Sequence, residues 1–261
     1  MSSMIPRHLI VAAWNKSEVT QRFLESFSRC SAHPWRLIVV DNGSTDATSD
    51  LLKTFADHFP ALTVLKNEVN LGCARAWNRG IQMALQENSE LIGVLNNDLV
   101  FAPGWDAGLL KFHRDHPEQK IFSPHTLRCE LEDFELRAIK FMKRNAQRTR
   151  RHFGSEGMFF DPEVFAQVGL FDERFFVSYE DTDFYVRARK LRMEPTVTGA
   201  SVLWHREKTT RGEMGSAHEI ESREKFIQKW GDLEEALEDS PWRKSRWVIR
   251  YRRYREKLGL L

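Results

Sequence analysis

Short apolar runs that alternate with amphipathic segments of helical period restrict this chain to few architectures. Residues 8–14 (HLIVAAW), 36–40 (RLIVV), 61–66 and 90–95 (ELIGVL) read as strands, most of them buried. Between them, residues 17–28, 46–58 and 73–87 read as helices. The first has Ser17 as its cap and Val19, Phe23, Leu24 and Phe27 as its apolar face. Strands that alternate with helices build a parallel α/β sheet. Ligands of such sheets bind in the crevice outside the carboxyl ends of the strands. Two polar clusters fall at those ends, 41–46 (DNGSTD) and 96–98 (NND), so the sequence points to one crevice.

The second half is less regular. Residues 125–153 become strongly basic (KFMKRNAQRTRRH) without a clean strand pattern, which predicts an excursion from the sheet. Order returns at 154–160, and a turn at Asp161-Pro162 opens a short helix. A helix is expected over 181–191, a strand over 196–204, and closing helices near 217–230 and 242–258. Composition narrows the setting. The net charge is only +2, so the chain as a whole is no polycation. Cys30, Cys73 and Cys129 are dispersed and form no C-x-x-C pair, which argues against a disulfide framework or structural zinc and for a reducing compartment. No basic head with a long apolar core opens the chain, and no run reaches bilayer-spanning length. The expectation is a cytoplasmic protein, peripheral at the inner face of a membrane if it meets one.

Four stretches carry chemistry: VVDNGSTD at 39–46, after Trp14-Asn15; NEVNLGCARAWNRGI at 67–81; LNNDLVF at 95–101; and GLFDERFFVSYEDTDFYVRAR at 169–189, with His205 downstream. In this order and spacing they resemble the family 2 glycosyltransferases, rhamnosyltransferase-like members included, over residues 8–205. The resemblance implies the α/β GT-A fold, a mostly parallel central sheet flanked by helices. It divides the chain into a catalytic domain, 1–215, and a helical basic extension, 216–261. It further implies inverting transfer of a sugar from a UDP- or dTDP-sugar to a hydroxyl of a saccharide or glycolipid acceptor, assisted by Mn2+ or Mg2+.

The departing nucleoside diphosphate gains negative charge, which a hard cation with oxygen ligands offsets. Asp98 carries over as the metal-contacting acid and Asn97 as a contact to sugar or ribose. Asn96 stands where family members have the first acid of Asp-x-Asp, and a plain turn is the alternative at 96–98. Asp41 carries over as the acceptor of the nucleobase imide N–H. It also suits an Asx-turn with Asn42 and Gly43, and both roles are compatible. Asn15, Asn42 and Gly43 complete the nucleotide-facing set, with Trp14 in the place of the family's polar-aromatic pair. Arg75, in the first turn of a helix, is a candidate for phosphate or base contact, against a solvated surface arginine. Asp181 carries over as the base that deprotonates the acceptor and Glu180 as its support. The alternative is a capping pair of Ser178 with Asp181, and Asp183 shares that first turn. His205 is a metal or diphosphate ligand, or a structural histidine. Arg206, with Lys208 and Arg211, lies on a loop that can close over the diphosphate or stay solvated.

Residues 242–258 read as a basic helix with interfacial aromatics, suited to an anionic membrane surface or to packing on the catalytic domain or a homodimer partner. No nucleic-acid motif is present, so no nucleic acid is expected as a partner. Two rival functions remain at this stage. A sugar-1-phosphate nucleotidyltransferase would favour a glycine-rich loop after the first strand, where WNKSEV has no glycine. A catalytically silent binding protein would not need Asp41, Asp98 and Asp181 together.

Overall fold

A computed structural model describes residues 5–151, 156–205 and 216–231. The first half follows the expected alternation: β1 (Arg7–Ala13), α1 (Ser17–Cys30), β2 (Arg36–Asn42), α2 (Thr48–His58), β3 (Leu62–Asn67), α3 (Cys73–Gln86) and β4 (Leu91–Asn96). The four strands are parallel, in the order β3-β2-β1-β4. Every second side chain faces one side. Leu9, Val11, Leu37 and Val39 pack with Phe23, Leu24 and Phe27 of α1, while Ile10, Ile38 and Val40 pack with Trp77, Ile81 and Ala84 of α3. Both sheet faces are therefore covered, which explains why these strands are continuous apolar runs.

The second half is mixed. β5 (Leu99–Phe101), α4 (Trp105–Asp115), β6 (Ile121–Leu127), a 3-10 turn at Leu131–Asp133, α5 (Phe134–Asn145) and β7 (Thr149–Arg151) come first. β8 (Gly157–Phe160), α6 (Glu163–Val168), α7 (Glu180–Lys190), β9 (Thr196–His205) and α8 (Ser216–Trp230) follow. The nine-stranded sheet continues β4-β8-β6-β9-β5, with β7 also on β9. β8 runs antiparallel to β4 and β6, β6 runs parallel to β9, and β5 and β7 run antiparallel to β9. The parallel expectation thus describes β1 to β4. The excursion expected over 125–153 is instead α5 with the edge strand β7, both packed on β9. Residues 242–258 lie outside the described residues.

One local expectation is corrected. Ser17 is the first residue of α1, not its cap. The cap is Lys16, in the left-handed region at φ 59°, and it supplies no side-chain capping bond. The Ser17 N–H instead donates to Asp46 Oδ2 at 3.1 Å, while Asp46 Oδ1 accepts from the Thr48 N–H at 2.9 Å. One carboxylate caps α1 and α2 together; burial, the largest single influence, pushes its pKa up, but its hydrogen bonds together outweigh that and hold it below the usual carboxylate range.

Helix α8 docks beside α7. Phe226 is fully buried with Phe175 and Tyr179, and Lys229 bonds Asp172 at 2.7 Å and Asp183 at 2.6 Å. Burial pushes the Asp172 carboxyl up, but its bonds to Arg174 and Lys229 outweigh that and hold it well below the usual range. A carboxyl depressed on folding stabilises above its unfolded pKa, about 3.9. That contribution fades as pH falls through the lower folded value. Asp172→Asn is expected to cost on the order of 1 kcal/mol at neutral pH, a figure discounted because Arg174 is solvated. It should also flatten the stability profile below pH about 4. Urea midpoints measured across pH check this, and an unchanged acid slope would show that Asp172 is not linked to folding.

Candidate active site

The crevice is built where β1, β2 and β4 end. The chain leaves β1 through two consecutive left-handed residues, Asn15 (φ 53°) and Lys16. This turn lets Asn15 grip the loop after β2: its N–H donates to Ser44 Oγ at 3.0 Å and its Oδ1 accepts from the Thr45 N–H at 2.8 Å. Asp41 is buried. Its Oδ1 accepts from the Ser44 N–H at 3.0 Å, closing the Asx-turn, and its Oδ2 accepts from the Ser49 hydroxyl. The turn foreseen at 41–44 is formed. Each oxygen of a carboxylate has a second lone pair, so the turn leaves Asp41 able to accept once more.

The Asn42 side chain is tied into the scaffold. Its amide donates to Asn70 Oδ1 at 2.9 Å and to the Gly72 carbonyl at 3.2 Å. Its Oδ1 accepts from Asn67 at 2.9 Å and from the Leu71 N–H at 3.1 Å. Four bonds exhaust the group. Asn42 thereby ties β2 to the Asn-Leu-Gly loop that opens α3. Gly43 serves the same junction. Its φ is 76°, and a Cβ there would lie 2.4 Å from the Val69 carbonyl carbon, so this position needs glycine twice over. Gly72 (φ 82°) brings the loop against the other side of the crevice, where the Cys73 N–H donates to the Phe176 carbonyl at 3.0 Å.

Arg75 stands in the first turn of α3 with its side chain half exposed and its Nε 3.5 Å from Glu173. A pair this long and solvated is weak, which leaves the guanidinium available to an anion at the helix N-terminus. Asn97 turns toward α1, where its amide donates to the buried Thr20 hydroxyl at 3.0 Å.

Two residues distant in sequence meet at the strand ends. β5 pairs with β9 so that Leu99 faces His205, which sets the preceding Asp98 beside that imidazole. Asp98 Oδ1 and His205 Nε2 are 3.2 Å apart, their side chains only 10% and 12% exposed. Burial, the largest influence on His205, lowers its pKa. The hydrogen bond and charge of Asp98, with the charge of Glu156, outweigh it and leave the imidazole above its ordinary value. Mg2+ or Mn2+ held at about 2.1 Å by two adjacent ligands places them about 3.0 Å apart. The observed spacing therefore fits a shared cation. Among the described residues no group of three His, Cys, Asp or Glu could hold a metal. Mg2+ is commonly held by one or two protein groups, with substrate phosphates and water completing the shell. Glu156, whose charge acts on His205, was not singled out from the sequence. It precedes β8 and acquires its position only because Gly157 pairs with Leu95.

On the far wall, Ser178 (φ 66°) and Tyr179 (φ 69°) are consecutive left-handed residues leading into α7. Such conformations cost about 1–3 kcal/mol each outside glycine and concentrate at functional sites. The capping pair is not formed. Tyr179 is the cap residue, without a side-chain capping bond, and the buried Ser178 hydroxyl has no hydrogen-bond partner among the described residues. Asp181 Oδ1 accepts from the Thr182 N–H at 2.6 Å and from its hydroxyl at 3.1 Å. Glu180 is buried beside it. Asp183 is fully buried and points the other way, accepting from Arg187 at 2.9 Å and from the Trp230 indole at 2.7 Å. Tyr185, one turn after Asp181, was also not singled out from sequence. Burial raises its phenol well above the ordinary value, so it is a neutral hydroxyl. Arg206 lies outside the described residues.

A mixed sheet with polar residues gathered at its parallel strand ends, an Asp–His pair beside them and an acid-rich helix start are the features of a GT-A glycosyltransferase. The chain belongs to glycosyl transferase family 2, whose sequence model matches residues 8–173. It is 27% identical over 246 residues to the N-acetylglucosaminyl-diphospho-decaprenol L-rhamnosyltransferase of Mycobacterium tuberculosis, covering 80% of this chain and 78% of that protein. It is 23% identical over 184 residues to a PGL/p-HBAD biosynthesis glycosyltransferase of Mycobacterium bovis, covering 69% and 68%. Among solved structures it resembles the mannosyltransferase PcManGT from Pyrobaculum calidifontis in complex with GDP-Man and Mn2+. The TM-score is 0.63 at 19% identity, and the match spans 87% of this chain and 65% of that one. GalNAc-T7 with UDP, GalNAc and Mn2+ gives a TM-score of 0.67 at 13% identity, over 89% of this chain and 49% of that one. These two likenesses establish the fold.

Proposed function

We propose that this glycosyltransferase works by inversion, moving a sugar from a UDP- or dTDP-sugar to a hydroxyl of a saccharide or lipid-linked saccharide. The observation that carries the reading is the meeting of Asp98 and His205 at the strand ends, in a chain whose α7 bears Asp181 in its first turn. Support also comes from the M. tuberculosis relative, named for rhamnosyl transfer onto a lipid diphosphate acceptor.

Asp41 accepts the imide N–H of uracil or thymine through its remaining lone pairs, while Asn15 and Asn42 keep its loop rigid. Arg75 meets the diphosphate at the N-terminus of α3, where unpaired N–H groups favour anions. Asp98 and His205 would hold Mn2+ or Mg2+, which would offset the charge on the departing diphosphate. Asp181 takes the acceptor hydroxyl proton as that oxygen attacks the anomeric carbon in line. Glu180 orients the acceptor.

The test is thermal unfolding with UDP or dTDP, in Mn2+ and in EDTA. Wild-type protein should be stabilised more with the metal. At nucleotide a hundredfold above its Kd the stabilisation is about 2.7 kcal/mol. Asp98→Ala should lose the metal-dependent part, and a full metal-dependent shift in that variant would remove Asp98 from the metal site.

A further inference from the structure

Helix α5 carries a surface that the transfer reaction does not use. Its inner face, Phe134, Ala138, Phe141 and Met142, packs with Val100, Val202 and Trp204 on β5 and β9, next to the strand end that holds His205. The opposite face presents Leu136 and Ile139, which are 65% and 46% exposed, flanked by the exposed Lys140 and Lys143. Helical spacing puts these four residues on one side, directly away from the core. From Leu136 to the end of β7 the sequence has seven basic residues and no acidic one. Arg137 pairs with Asp133 at 3.2 Å. Lys140, Lys143, Arg144, Arg148, Arg150 and Arg151 are exposed and make no ion pair among the described residues.

We infer that the outer face of α5, continued by β7, docks the enzyme on an anionic lipid surface. Three observations select that occupant. Concentrated cations that make no ion pair among the described residues match a negative headgroup layer, which attracts each lysine or arginine near it. Aliphatic side chains between those cations match the acyl boundary, where a surface helix buries its apolar face. A single-stranded nucleic acid would be met by aromatic platforms instead, and the outer face has none. A second copy of this face would bring like charges together. The patch is also carried on β9, the strand whose last residue enters the active site, so docking would hold the crevice at a fixed place relative to the lipid. The inference needs no step of the transfer reaction, and its experiment can fail while the proposed function stands.

The experiment is co-sedimentation of the full chain with vesicles of phosphatidylcholine alone and with one third phosphatidylglycerol. Wild type should bind the anionic vesicles, more weakly as salt rises. Lys140→Glu with Lys143→Glu should reduce partitioning by an order of magnitude or more and shrink its salt dependence. Leu136→Gln with Ile139→Gln should remove the binding that persists at high salt. Both pairs are exposed, so unfolding temperature and nucleotide binding should match wild type. Wild-type partitioning by both folded variants would overturn the proposal. So would variants that lose affinity for a single-stranded oligonucleotide while keeping their vesicle binding.

Discussion

Replacing Asp181 with asparagine should nearly abolish sugar transfer and leave nucleotide binding unchanged. The carboxylate sits in the first turn of α7, where it accepts two bonds from Thr182 through Oδ1. Asparagine keeps the shape and can keep those bonds through its carbonyl, but it cannot take a proton. The nucleotide walls come from other segments, the loops after β1, β2 and β4 and the start of α3, so binding has no reason to change. Loss of a general base costs about 10²–10⁴-fold in rate. The measurement is transfer activity beside calorimetric nucleotide binding on one preparation. Near-normal transfer would exclude Asp181 and direct attention to Glu180, its buried neighbour. The alternative of a helix cap has lost its geometry, because the Ser178 hydroxyl does not bond the helix.

Two residues along, the expected phenotype is different. Asp183→Ala should lower folding stability by about 3–5 kcal/mol, the scale for removing one partner of a buried ion pair. Asp183 is fully buried and receives Arg187 Nε, Lys229 Nζ and the Trp230 indole N–H. Its removal takes the carboxylate away from two largely buried cations and an indole donor, leaving Lys229 with Asp172 and Arg187 with the carbonyls of Val168 and Leu170. It also releases α8, whose last turn is held to α7 by these bonds. Urea denaturation measures the loss, and a cost below about 1 kcal/mol, the level of a solvated pair, would show that the cluster is not buried in solution. Asp181→Asn should by contrast retain wild-type stability. Residues two apart on a helix face opposite ways, so the proposed base and the structural acid lie on different sides of α7.

Much of the fold was legible because its first half obeys a simple rule. Strands buried on both faces must be apolar at every position, and helices buried on one face must be apolar at helical spacing. Leu9 to Val11 and Phe23 to Phe27 satisfy both conditions. The missed elements have weaker signatures. β5 is three residues long, β7 is fully exposed, and α5 carries Leu136 and Ile139 on its outer side, which blurs its amphipathic period. The misplaced cap of α1 has another cause. Its partner is Asp46, twenty-nine residues away, and helix start signals consider only neighbours.

The sequence by itself determined the α/β class and the family and put forward the acids of the proposed site, because apolar periodicity and motif order are local properties of the chain. Tertiary structure alone decided what those acids do. The pairing of β5 with β9 put Asp98 against His205, across a separation no local pattern encodes. Asn42 has the composition of a ligand-binding residue, yet four contacts from the loop before α3 consume its hydrogen bonds. Asp181 and Asp183 are chemically identical in YEDTD, and only the docking of Lys229 and Trp230 against one of them separates their roles. The reason is physical. A carboxylate's function is set by which groups share its low-dielectric surroundings, and the fold assembles those groups from distant parts of the chain.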